Sequence, residues 1–174
     1  EEQTHVLLEM VRTGEIDTAI IALPYACDGL LTFDFWGEDF YWVALKGEKF
    51  ANQNEITSRE LARSNLMLLK DGHCLKEHIL DVCKLPEPDA NHGFGTASLN
   101  TLIQMVLNDL GTTLIPQMAI EQLTAQYPQL STVHLKEPGP HRKIAFVIRP
   151  NYTRMNSIEA LLAVCRDTLE KLKP

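Results

Sequence analysis

The chain has no apolar stretch approaching the ~20 residues a bilayer demands, and its longest runs, such as Ala19 to Leu23 and Asn65 to Leu69, are strand-length. No membrane partner is expected. The N-terminus, Glu1-Glu2-Gln3-Thr4, lacks the basic and apolar regions of a secretory signal. With no initiator Met and an opening inside a helical pattern, the chain is expected to be a fragment of a longer functional protein. Basic charge is scarce: 16 Lys and Arg face 23 Asp and Glu, for a net charge of −7. Phosphate contact needs concentrated Lys and Arg, so any DNA-binding element would lie outside this piece. Four cysteines, at 27, 74, 83 and 165, form no regular framework, contain no CxxC pair and are too few to staple 174 residues. A reducing, cytoplasmic compartment is expected, in which thiols stay reduced unless they are catalytic, metal-binding or redox-sensing. Internal repeats, heptads and low-complexity tracts are absent as well.

What is present is an ordinary globular composition, 45% hydrophobic and 22% charged, enough for one large domain or two small lobes. Thr4 is a candidate N-cap for a helix carrying Val6, Leu7, Met10 and Val11, with Gly14 placed to end it. Ile16 to Leu23 has the pattern of a buried strand. Thr32 to Trp36 alternates, with Phe33 and Phe35 on one side, and Tyr41 to Leu45 is a further strand after the Gly37-Glu38-Asp39 break. Thr57 and Glu60 form a capping box before a short helix, and Leu66 to Leu69 is an apolar strand. A helix over Leu75 to Leu85 precedes a connection through Pro86 and Pro88. Another runs from Leu99 to Leu110, capped by Ser98 and closed by Gly111. Thr112 to Ile115, Thr132 to Leu135 and Lys143 to Ile148 are expected strands, with helices around Met118 to Ala125 and over Ser157 to Leu172. Alternating strands and helices imply an α/β fold with mainly parallel pairing.

The most informative pair is Cys74 and Cys83. Cys74 follows Gly72-His73 at an expected helix start, where unpaired N–H groups and the positive end of the macrodipole favour a thiolate. His73 and Lys76 lie close to it in sequence. If Leu75 to Val82 is helical, the two Cα atoms lie roughly 13 Å apart on opposite faces, whereas a disulfide tolerates only about 7 Å. Joining the thiols therefore requires the helix to unwind. A sulfenic acid on Cys74 would be converted to a disulfide by a second thiol in reach, and a loop this short is worth roughly 2–3 kcal/mol in the chain-entropy model. Two other readings stay open at this point. Cys83, following Leu80 and Val82, fits a small core hydrophobe, and Cys74 with His78 at i, i+4, near His73 and Cys83, fits a metal site. Cys27 and Cys165 have the look of bystanders. His5, His92, His134 and His141 fit solvated or structural roles, with only His5 a candidate for a pocket.

The segment Asp71-Gly72-His73-Cys74-Leu75-Lys76, with Cys83 eight intervening residues on, resembles the sensor loop of the OxyR family, the peroxide-responsive branch of the LysR-type transcription regulators. Gly14-Glu15-Ile16-Asp17, Thr96-Ala97-Ser98-Leu99 and Gly111-Thr112-Thr113-Leu114-Ile115-Pro116 resemble segments of the wider LysR group. The resemblance implies a two-lobed, periplasmic-binding-protein-like regulatory domain, here without its first strand-helix unit. One lobe would comprise residues 1–38 and 148–174 and the other 39–147, with crossings near Gly37 to Asp39 and near Phe146 to Arg149. It implies Cys74 as the peroxidatic and Cys83 as the resolving cysteine, and Thr4, Gly72, His73 and Arg149 as peroxide-binding residues. No cofactor or metal is implied. The implied partners are hydrogen peroxide, further copies in a homo-oligomer (dimer or tetramer), promoter DNA through an absent winged helix-turn-helix, RNA polymerase, and a thiol reductant such as glutaredoxin or thioredoxin. Lys76 and Glu77 stand where the family pattern often has Arg and Asp, keeping charge but not guanidinium geometry. The implied function is a sensor and not an enzyme. The alternatives are a LysR-type module binding a small anionic metabolite, and a thiol peroxidase or oxidoreductase.

Overall fold

The computed structural model describes residues 2–70, 74–86 and 98–171. The chain divides into two compact units, one formed by Glu1–Gly37 with Arg142–Pro174 and the other by Glu38–His141.

The first unit is built on a three-stranded sheet ordered β1-β8-β2, made of β1 (Thr18–Leu23), β8 (Arg142–Ile148) and β2 (Leu31–Glu38). β8 runs antiparallel to β1, pairing Ile148 with Thr18 and Lys143 with Leu23. Successive strand residues point to opposite faces, and β8 shows the result. Val147 packs with Leu8 and Val11 of helix α1 (Thr4–Thr13), whereas Phe146 and Ile148 pack with Ile158 and Leu162 of helix α6 (Met155–Lys171). Phe33 and Phe35 of β2 join the α6 side, as their alternation predicts. α1 stops at Gly14, whose φ of 82° is left-handed backbone that glycine adopts without a Cβ penalty.

The second unit holds a five-stranded sheet ordered β4-β7-β3-β6-β5, from β4 (Glu55–Ile56), β7 (Leu130–Leu135), β3 (Phe40–Leu45), β6 (Thr112–Pro116) and β5 (Leu66–Met67). Helices α2 (Ser58–Leu61), α3 (Cys74–Cys83), α4 (Leu99–Leu107) and α5 (Ile120–Thr124) complete it, the last entered through a short 3₁₀ turn at Gln117–Ala119. β3 is central and covered on both faces, with Phe40, Trp42, Val43 and Ala44 all inaccessible to solvent. Its neighbours on α3 and α4 supply Leu75, Ile79, Leu102, Ile103 and Val106 to the same core.

Several expectations are corrected. The pairing is not mainly parallel: β1–β8, β3–β6 and β3–β7 are antiparallel, and β4–β7 and β5–β6 are parallel. Alternation of strands and helices makes neighbours parallel only when consecutive strands lie side by side, and here the central strands pair with distant ones. The return crossing falls at His141–Arg142 and not near Phe146 to Arg149, because β8 is paired with β1 from Lys143 through Ile148. Thr4 is the first helical residue rather than the cap, which is Gln3, with no side-chain bond to the helix. Ser98 caps α4 by position but not by a side-chain bond. That helix ends at Leu107, ahead of Gly111, whose missing Cβ would collide with the Asn65 carbonyl. The capping box is as expected, with Glu60 N–H donating to Thr57 Oγ1 and Thr57 N–H to Glu60 Oε2.

Candidate functional site

α3 is one continuous ten-residue helix with Cys74 at its first position and Cys83 at its last. At the helical rise their Cα atoms lie about 13 Å apart, and both are free thiols. Leu75, His78, Ile79 and Cys83 are the buried residues of the helix. Their spacing of three or four residues marks the face turned to the core. Cys74 is half-buried, whereas Cys83 is only 4% exposed.

The surroundings of Cys83 come from distant parts of the chain. Its thiol hydrogen-bonds with the Ser58 side chain at the start of α2, and the Glu137 carboxylate lies close enough to act on it electrostatically. Burial, and secondarily that carboxylate, push the thiol up to about 11 against the opposing effect of Ser58. Ser58 donates both its backbone N–H, at 3.0 Å, and its hydroxyl to Glu137 Oε1. These bonds hold the Glu137 carboxyl below the usual carboxylate range, with lesser help from Lys84.

α3 stops immediately after Cys83. Lys84 N–H donates to the Asp81 carbonyl and Leu85 N–H to the Leu80 carbonyl, the bond pattern of a Schellman motif. The residue placed in the left-handed region is Lys84, at φ 49°, where glycine is the usual occupant. The residue after the buried thiol is therefore strained.

Of the residues expected around the thiol, Cys74 and Cys83 share α3 in the second unit. Gly72 and His73 lie outside the described residues. Thr4, half-buried at the start of α1, and Arg149, just after β8, belong to the first unit. Arg149 Nη1 donates to the Val11 and Ile16 carbonyls at 3.0 and 2.7 Å, and Nη2 to Asp17 Oδ1 at 3.2 Å. His5 is exposed on α1. Cys27 donates to the Tyr25 carbonyl, and burial raises its thiol. Cys165 packs beside the cluster of Phe146, Ile148, Ile158 and Leu162. Among the described residues no three His, Cys, Asp or Glu side chains converge on a metal position. Nor is any helix among them long and apolar enough to cross a membrane.

Sequence reasoning did not find Ser58 or Glu137, and it left His141 between a solvated and a structural role. His141 Nδ1 accepts the Phe40 N–H at 2.7 Å, which leaves its Nε2–H to donate to the Glu137 carbonyl at 2.8 Å. The Glu137-Pro138-Gly139-Pro140 turn was the one available signal. A Cβ at Gly139 would meet the Asp39 carboxylate, which would have to shift to admit it.

A family model for the LysR substrate binding domain matches residues 1–170. The chain is 32% identical, over 99% of its length, to a "probable hydrogen peroxide-inducible genes activator" of Streptomyces viridosporus, of which it covers 55%. It thus spans about half the length of the curated relatives it matches. Among solved structures, a hydrogen-peroxide-bound OxyR mutant of Corynebacterium glutamicum is similar with a TM-score of 0.88 and 30% identity over 98% of this chain and 54% of that one. The reduced regulatory domain of OxyR2 from Vibrio vulnificus is similar with a TM-score of 0.81 and 35% identity over 96% of this chain and 78% of that one. The mixed α/β architecture with these matches makes the chain a member of the LysR substrate binding domain family, in the branch of the OxyR regulatory domains.

Proposed function

We propose that the chain is the regulatory domain of a transcription regulator that senses hydrogen peroxide through Cys74 and Cys83. The observation that carries this reading is the placement of one half-open and one buried thiol at opposite ends of a single helix. Cys74 thiolate attacks peroxide, the O–O bond breaks, and sulfenic acid and hydroxide form. Cys83 then displaces the sulfenic oxygen, closing a disulfide and releasing water. Because the helix cannot accommodate the bond, its residues must leave helical geometry. Gly72 and His73, preceding Cys74 in sequence, are assigned to polarising the peroxide.

In the whole protein the same switch is proposed to alter engagement of promoter DNA by a winged helix-turn-helix. It would do so in a cytoplasmic homo-oligomer that contacts RNA polymerase and is reset by glutaredoxin or thioredoxin. One turn of the switch consumes one peroxide, so the function is sensing and not turnover.

The test is a peptide map of the chain after one equivalent of peroxide, with hydrogen exchange before and after. The expected result is a Cys74–Cys83 disulfide with protection lost over Leu75 to Val82. A fully formed disulfide with unchanged protection would overturn the switch, and sustained peroxide consumption with a thioredoxin system would make the chain a peroxidase.

A further inference from the structure

His134, on β7, is set between two carboxylates from different strands. Its Nε2 lies 3.0 Å from Asp39 Oδ2, at the entry to β3, and its Nδ1 lies 3.8 Å from Glu55 Oε1, on β4. The register accounts for the meeting. His134 is the cross-strand partner of both Tyr41 and Glu55, so the three side chains share one face of the sheet. The neighbours of the ring are each committed. Lys136 Nζ takes Glu55 Oε2 at 3.3 Å, which leaves Oε1 toward the imidazole. Tyr41 meets the ring edge-on at 5.2 Å, and burial, then the Asp39 charge, push its phenol up, so it stays neutral. His141 stacks on the other side at 6.1 Å, with Asp39 Oδ1 at 3.8 Å from its Nδ1. That Nδ1 accepts the Phe40 N–H and Nε2–H is given to the Glu137 carbonyl, so His141 has no free nitrogen for a further proton.

We propose that His134 is a proton-operated clasp for β4, a pH-sensitive device that stands apart from the peroxide reading. A neutral imidazole has one N–H, and a carboxylate can only accept. The 3.0 Å contact with Asp39 claims that N–H, and Nδ1 then turns a lone pair toward the Glu55 carboxylate. A second proton puts an N–H there instead and makes the ring a cation between two anions. At 3.8 Å the Glu55 contact is too long for a hydrogen bond but close enough for attraction between charges. What the clasp holds has little else to hold it. β4 is a two-residue strand at the edge of the sheet, and the Lys136 N–H donates to its Ile56 carbonyl at 2.9 Å. Edge elements with so few bonds open locally well before the whole domain unfolds. α2 follows β4 directly, and its Leu61 belongs to the buried cluster that includes Leu75, Ile79 and Cys83. Protonation of His134 therefore firms a segment bordering the core under α3, and loss of the proton loosens it.

The experiment follows hydrogen exchange of the Lys136 amide in the full chain, corrected for the intrinsic pH dependence of exchange, while ring nitrogen shifts report the protonation of His134. It runs from about pH 8.5 down to about 5.5, above the ordinary carboxylate range. His134 is 30% exposed, Asp39 32% and Glu55 46%, so the effect is that of solvent-screened ion pairs. Protection of the Lys136 amide should rise about two- to fivefold as the ring takes up its proton, and high salt should shrink the rise. Amides of β3 should not follow. Glu55→Gln, on the rim and neutral throughout, should give flat protection, and so should His134→Gln. Flat protection in the wild-type chain across the His134 titration overturns the proposal. So does a rise that persists in either variant, or one that the β3 amides share, which would be a change in global stability. Should His134→Gln fail to fold, the wild-type titration and Glu55→Gln decide.

Discussion

Arg149 Nη1 donates to the Ile16 carbonyl at 2.7 Å, and the same guanidinium takes the Val11 carbonyl at the end of α1. It also lies 3.7 Å from where a Cβ on Gly14 would stand. One side chain therefore fastens the last turn of α1 to the entry of β1, across a gap of more than a hundred residues in sequence. Arg149→Met should cost about 1.5–3 kcal/mol in urea unfolding, since charged-group hydrogen bonds are lost and carbonyls are left unpaired. Arg149→Lys should recover only part, because an ammonium does not reproduce the fork. A loss within experimental error would show that water replaces the guanidinium.

The thiols should separate by alkylation. Cys74 should react fastest at neutral pH. Cys83, 4% exposed and pushed up to about 11, should be the slowest in native protein. Single-cysteine variants and a neutral alkylating reagent provide the measurement, and faster reaction at Cys27 or Cys165 would remove Cys74 from its role.

The raised Cys83 thiol also has a consequence for stability. A group whose folded pKa lies above its unfolded value binds its proton more tightly in the native state. Stability is thus undiminished below the unfolded value and falls as pH rises from there through about 11. The slope should reach at most about 1.4 kcal/mol per pH unit. Denaturation at a series of alkaline pH values should show it in the reduced protein, and Cys83→Ala should flatten it.

Lys84 at φ 49° makes the end of α3 a strained stop. Lys84→Gly should relieve about 1 kcal/mol in the reduced, helical form. If the oxidised form abandons this turn, the disulfide potential should rise by about 20 mV. Equilibration with glutathione buffers measures this. An unchanged potential alongside a stabilised reduced protein would mean that the Lys84 turn survives oxidation.

Local patterns were the legible part of this chain. The alternation of Phe33 and Phe35, the Thr57–Glu60 box, the Gly14 stop and the helix between the two cysteines each depend on residues within a turn or two, and each stands in the structure. What escaped depends on residues brought together by the fold. Nothing near Ser58 announces Glu137, 79 positions away. His141 fits a solvated role as well as a structural one until Phe40 offers it an N–H, 101 positions away. β4 has only two residues, too short for any periodicity. The antiparallel centre of the larger sheet depends on which strands become neighbours, a choice made by tertiary packing that alternating elements do not encode.

The pairing of β8 with β1 has a consequence for how the chain is made. Thr18 meets Ile148, with the whole of Glu38–His141 between them. During synthesis that middle segment is complete before the strand that finishes the first unit exists. The first unit must hold α1 and β1 open until then, and closing so long a loop is slow compared with local contacts. A nascent chain halted shortly after His141 leaves the ribosome should therefore carry a protease-resistant cysteine-bearing unit behind a still cleavable amino-terminal segment.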